Sequence, residues 1–146
     1  MTMTQTAQSN YQLATFHLDD LWLGIDIEYV QEIIRKVEPA PVPEVDDSIL
    51  GVIHIRGEVV TIIDLRELLK IGSSQLDDQG QYIIVDVHDE RIGLLVDRVD
   101  DVRTVQVEQL SDVPPNLAMV GGEAFRKVLM TDEAILTLLD VELILT

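Results

Sequence analysis

The sequence predicts an all-β chain with a few short helices, built as two similar β units around a shared apolar core. Three observations carry that prediction. Residues 13–33, "LATFHLDDLWLGIDIEYVQEI", align without a gap on residues 82–102, "YIIVDVHDERIGLLVDRVDDV", at an offset of 69. Residues 49–69, "ILGVIHIRGEVVTIIDLRELL", align in the same way on residues 125–145, "FRKVLMTDEAILTLLDVELIL", at an offset of 76. The linkers between these blocks carry Pro39, Pro41 and Pro43 in one copy and Pro114 and Pro115 in the other. Proline at that density favours stiff extended segments or edge strands over helix.

Each element follows from its residues. In the first block Phe16 falls on Val85, Leu18 on Val87, Gly24 on Gly93 and Ile25 on Leu94. Both copies read as an apolar run, a polar "DD" or "HDE" turn and a second apolar run, the signature of a hairpin. The stretch "DIEYVQEIIRKV" spaces Ile27, Val30, Ile33, Ile34 and Val37 near a helical period, which predicts one short amphipathic helix or turn. In "GVIHIRGEVVTII" the pair Gly57-Glu58 predicts a tight turn with glycine first, because glycine takes positive φ without steric cost. That register sets Arg56 opposite Val59, His54 opposite Thr61 and Val52 opposite Ile63, all on one face. Ile53, Ile55, Val60 and Ile62 form the other face, the expected core side. "DLRELLK" offers Asp64 as an N-cap with Glu67 three residues on and Lys70 and Gly72 near the end, a short helix whose counterpart starts at Asp140. Units this small must close into barrels or pack face to face, since open two-hairpin sheets leave apolar faces and edges in water.

Composition bounds the function. A chain of 146 residues makes one domain or two small subdomains sharing a core. With 27 acidic residues against 10 basic ones and a net charge of −17, nucleic acid is a disfavoured partner, because phosphate binding depends on lysine and arginine. The chain has no cysteine, which excludes disulfides, thiolate zinc sites and cysteine nucleophiles. Residues 1–10, "MTMTQTAQSN", lack the basic and apolar regions of a signal peptide and are expected to form a disordered tail. The apolar runs are too short for a membrane span, so a soluble protein without direct membrane insertion is expected. His17, His54 and His88 form no metal-ligand spacing, and no nucleophile elbow or phosphate-cradling loop is present. The expectation is therefore a non-enzymatic protein without a cofactor. A small-molecule-binding barrel would need convergent polar groups inside, whereas the inward positions are isoleucine, valine and leucine.

Arg56 remains to be explained. At the tip of an apolar hairpin in an acidic chain it is either a solvated turn residue or an anchor for a partner, since its planar fork binds carboxylates while its stem packs on apolar surface. The segment "GIDIEYVQEI", followed by "GVIHIRGEVVTIIDLRELL", resembles the CheW-like chemotaxis coupling proteins, which typically show GIDI-x-x-VQEI and then GV-x-NLRG-x-x-VP-x-IDLR. The resemblance runs from about Gln12 to Leu145. It implies two five-stranded SH3-like β-barrels around a shared hydrophobic core, and a cytoplasmic adaptor recruited to receptor arrays at the inner face of the membrane. Its partners would be a CheA-family histidine kinase, through that kinase's regulatory domain, and the cytoplasmic tip of a methyl-accepting chemotaxis receptor.

The resemblance carries Arg56 over as a key residue of the receptor-binding groove between the barrels, with Val30, Glu32 and Gly51 close by. Val52, His54 and Val59 join it through the hairpin face. Each neighbour also has a plain structural reading: Val30 as core, Glu32 as solvated surface, Gly51 as a point of close backbone approach. Kinase contacts are implied at the ends of both barrels, without assignment to residues. His54 stands where the family usually has asparagine and Thr61 where it usually has proline, so partner choice can depart from the common pattern. An array controlling twitching motility or gene expression is the alternative setting.

Overall fold

The computed structural model describes residues 10–43, 46–71, 80–117 and 122–145. The expected N-terminal tail lies, apart from Asn10, outside the described residues, as does Gly72; Asn10 itself pairs with Gln106. The first half supplies β1 (Asn10–Leu18), β2 (Leu21–Asp26), β3 (Val30–Arg35), β4 (Ile49–Ile55), β5 (Glu58–Asp64) and the short helix α1 (Leu65–Leu68). The second supplies β6 (Gln81–Val87), β7 (Glu90–Val96), β8 (Arg98–Gln106), β9 (Leu110–Ser111), β10 (Phe125–Met130), β11 (Ile135–Leu139) and α2 (Val141–Ile144).

Neither half folds on itself. One sheet has the order β8-β1-β2-β11-β10-β9 and the other β3-β6-β7-β5-β4. The five-stranded sheet is thus three strands of the first half, and the six-stranded sheet four strands of the second, each with the leading hairpin of the other half inserted among them. The parallel seams that hold the inserted hairpins recur at the two sequence offsets: Ile62 pairs with Gly93, and Leu138 with Gly24. The six-stranded sheet exceeds the expected five by the two-residue β9, whose Ser111 pairs with Val128. Its counterpart in the other sheet is a single bridge from Ala40 to Val52, made by the proline-rich linker as an edge segment.

Both sheets coil until their edges meet. β8 and β9 lie on opposite edges yet are joined by a single 3-10 turn, Val107–Gln109. In the other sheet the chain leaves edge strand β3 and docks Ala40 on edge strand β4 through bonds of 2.8 and 2.9 Å. Each coil encloses its own apolar cluster. Ile53, Val60, Ile62, Tyr82, Ile84 and Leu95 fill the five-stranded one, and Leu13, Val105, Leu129, Leu136 and Leu138 the six-stranded one. The outer faces meet in a larger common core that includes Phe16, Leu23, Ile25, Ile63, Leu65, Ile83, Val85 and Leu94.

Two local expectations need correction. Residues 30–35 are a strand, not a helix; a 3-10 turn, Ile27–Tyr29, is the only helical part of that segment. The spacing of Val30, Ile33 and Ile34 suits either period, and pairing with β6 (Ile33 opposite Ile83) decides it, aided by the β-branched side chains. The tip of the β4–β5 hairpin is Arg56-Gly57 rather than Gly57-Glu58, because Ile55 pairs with Glu58. Both corner residues have positive φ, 53° and 82°, as a type I′ turn requires. Moving the turn by one position changes the partner of His54 from Thr61 to Val59 but leaves the two faces intact.

The two helix starts are as expected. The Asp64 side chain accepts the N–H of Arg66 at 3.1 Å, and Asp140 accepts that of Leu143 at 3.1 Å. Asp64 is buried, so replacing it with alanine should cost about 1–2 kcal/mol through the lost cap. Urea unfolding of Asp64→Ala checks this; an unchanged midpoint would remove the cap from the account.

Candidate functional site at the hairpin tip

The face carrying Val52, His54, Val59 and Thr61 starts at the common core and runs out past it. Ile63 at its base is buried, Val52 and Thr61 are half-buried, and His54 and Val59 are exposed, Val59 by 57%. Arg56 stands beyond them, its side chain 79% exposed, with Nη2 3.3 Å from Oε1 of Glu32. Glu32 lies on β3 and Arg56 follows β4, the two opposite edges of the five-stranded sheet. The ion pair therefore spans the join where that coil closes. One nitrogen of the fork is engaged by Glu32, which leaves the other donors directed at solvent.

The structure thus gathers Arg56, Glu32, His54 and Val59 at one end of the coil. Val52 sits one step inward, tied to Ala40. Val30 is half-buried and packs against the common core. Gly51 is buried at a bulge with φ of 146°, and a Cβ there would lie 2.2 Å from the carbonyl oxygen of Ala40, which gives this glycine a backbone role.

Beside Val59 a depression of about 440 Å³ is lined by Glu58, Val59, Thr61, Asp86, Asp89, Glu90 and Arg91. Arg91 Nη1 reaches Glu58 Oε2 at 2.9 Å. The depression beside Val59 is therefore lined predominantly by acids. The Glu58–Arg91 contact escaped sequence reasoning because 33 residues separate its members. Trp22 packs against the interior of the six-stranded coil, stacked on His17 at 6.4 Å between ring centroids, with the Arg103 guanidinium 5.4 Å from its ring.

Arg66 was also missed. Its side chain is only 12% exposed and it pairs with Asp97 and, at 3.4 Å, with Asp19. Burial pulls its pKa down, but the Asp97 hydrogen bond and then the Asp97 and Asp19 charges outweigh this and raise it, so the guanidinium is held charged. Burial, and then a hydrogen bond to the Glu142 carboxylate, raise the pKa of Tyr29.

Among the described residues no group of three or more histidine, aspartate or glutamate side chains is arranged to hold a metal. No helix among them is long and apolar enough to cross a membrane.

Two coiled sheets that exchange hairpins across a common core, with an exposed cation on one hairpin tip, define a two-sheet β module. The chain belongs to the CheW-like domain family, whose model matches residues 12–146. It is 28% identical over 135 residues to chemotaxis protein CheW of Treponema pallidum, covering 90% of this chain and 79% of that protein. The corresponding protein of Bacillus subtilis is 26% identical over 143 residues, covering 98% and 92%. The crystal structure of the scaffolding protein TtCheW from Thermoanaerobacter tengcongensis superposes with a TM-score of 0.82 at 25% identity, covering 92% of this chain and 91% of that one.

Proposed function

We propose that this chain is a non-enzymatic adaptor of bacterial chemotaxis, coupling the cytoplasmic tip of methyl-accepting receptors to a CheA-family histidine kinase through the kinase's regulatory domain. The observation that carries the reading is the family match over residues 12–146, together with relatives named as chemotaxis proteins across nearly the same span. A setting outside chemotaxis is not favoured by those names.

The tip geometry supports the receptor half of the reading. A helical hairpin presents apolar and polar strips side by side, so its dock needs an apolar wall ending in a directional donor. Val59 and the half-buried Val52 supply wall, and Arg56 supplies the donor. His54 lies between Val52 and Arg56 on the same strand face and is placed to touch the same visitor. The working location is then the cytoplasmic face of the membrane, reached through the receptor.

Reconstitution tests the proposal. Receptor cytoplasmic fragments templated on vesicles are mixed with purified kinase, with and without this chain, and sedimented. The kinase should pellet with the receptor only when the chain is present. Equal kinase recruitment in its absence would overturn the adaptor role.

A further inference from the structure

We infer that Arg66 is a positioning residue: it fixes the angle between the two sheets and, resting on the functional reading above, the width of the cleft that receives the receptor. Arg66 is the second residue of α1 at the inner end of β5, the strand whose outer end begins just after the Arg56-Gly57 tip. Asp97 lies in the crossover from β7 of the five-stranded sheet to β8 of the six-stranded one, and Asp19 in the β1–β2 turn of the six-stranded sheet. The Asp97 carboxylate takes the Arg66 guanidinium and, at 2.6 Å, the N–H of Asp19. The N–H of Asp97 donates to the His17 carbonyl at 3.0 Å. Three segments from the two sheets are knotted at one point.

The physical reason to assign the angle to this knot is directionality. The common core between the sheets is apolar, and apolar contact favours burial without specifying orientation. Charge-assisted hydrogen bonds from a planar fork do specify it. The other ion pairs described at the site, Arg56–Glu32 and Arg91–Glu58, stay within one sheet and cannot serve. At the offset of 76, Glu142 occupies the place of Arg66, so the equivalent corner carries no guanidinium fork.

The test uses the full chain, which has no native cysteine, with spin labels at Arg35→Cys on β3 and Thr104→Cys on β8, both exposed. Arg66→Met should shift or broaden the label-to-label distance distribution while the β-sheet spectrum persists. It should also weaken binding of a receptor-tip fragment by about tenfold, an ordinary size for coupling between separate sites. Arg66→Lys, which keeps the charge but not the fork, should fall between. Asp97→Asn, which can still accept from Asp19, is the milder variant and decides the matter if Arg66→Met does not fold. An unchanged distance distribution in the folded variants overturns the latch. A changed distribution with unchanged receptor binding overturns its link to the cleft. Arg56→Asp, measured alongside, separates the cases: if it also binds normally, the functional reading fails while the distances still judge the latch.

Discussion

Gly51→Ala should lower folding stability by about 3 kcal/mol, and the melting temperature by roughly 10 °C, with the same β-sheet spectrum below the transition. Two costs add. The φ of 146° at Gly51 is closed to residues with a Cβ, and the new carbon would stand 2.2 Å from the Ala40 carbonyl oxygen. That oxygen cannot retreat cheaply, because Ala40 and Val52 exchange both backbone hydrogen bonds, at 2.8 and 2.9 Å. Relief must come from releasing the linker from β4, which unpairs the edge where the five-stranded coil closes. Urea unfolding measures the loss. A change below about 1 kcal/mol would mean that the linker gives way easily and that the closure is not set by this contact.

Arg56→Asp should abolish most receptor binding, with at least a tenfold loss in affinity, while the melt moves little. Its side chain is 79% exposed, and an exposed ion pair such as that with Glu32 is worth only about 0–1 kcal/mol, so folding has little at stake. Binding has more, because reversal sets a carboxylate beside Glu32 and repels the acidic group that the guanidinium would have taken. The backbone sharpens the test. Arg56 occupies a left-handed turn position, φ 53°, that asparagine or glycine adopts more readily. Arg56→Asn should therefore melt no lower than the parent and still lose the receptor. Such a split would identify a residue kept at a turn for what it touches rather than for how it folds. Titration of receptor-tip fragments against both variants provides the measurement; full affinity in Arg56→Asp would take the tip out of the dock, and a collapsed melt would make it structural.

Much of this architecture was legible in the residues. Hairpins announce themselves locally, so the apolar runs around "DD" and "HDE" and the capping aspartates Asp64 and Asp140 could be placed correctly. What could not be read is which hairpin sits in which sheet. The parallel seams join Thr61 to Ile92 and Leu136 to Trp22, and nothing in either segment's own periodicity names its partner. Residues 30–35 failed for a related reason: the spacing of Val30, Ile33 and Ile34 is ambiguous until β6 lies alongside. The turn lies one position earlier than glycine's preference for the first corner implies, because Arg56 itself accepts positive φ. At the site, Arg56 stood out as a cation in an acidic chain. The pairing of Arg66 with Asp97, 31 residues away and across a sheet boundary, had no such sign.

The exchange of hairpins means that neither copy of the repeat possesses a finished coil. Cut anywhere between them, each would keep two strands that belong in the other's wall and lack the two that complete its own. The molecule is thus interlocked rather than merely duplicated, and its far-apart strand pairings must all be reached before any is secure, a topology that slows folding and discourages partial opening. Surfaces on its two ends can diverge in sequence, as the arginine at one tip and the acids Asp132 and Glu133 at the other already do. They nevertheless stand or melt together, and the module inherits from this braid a single, indivisible lifetime.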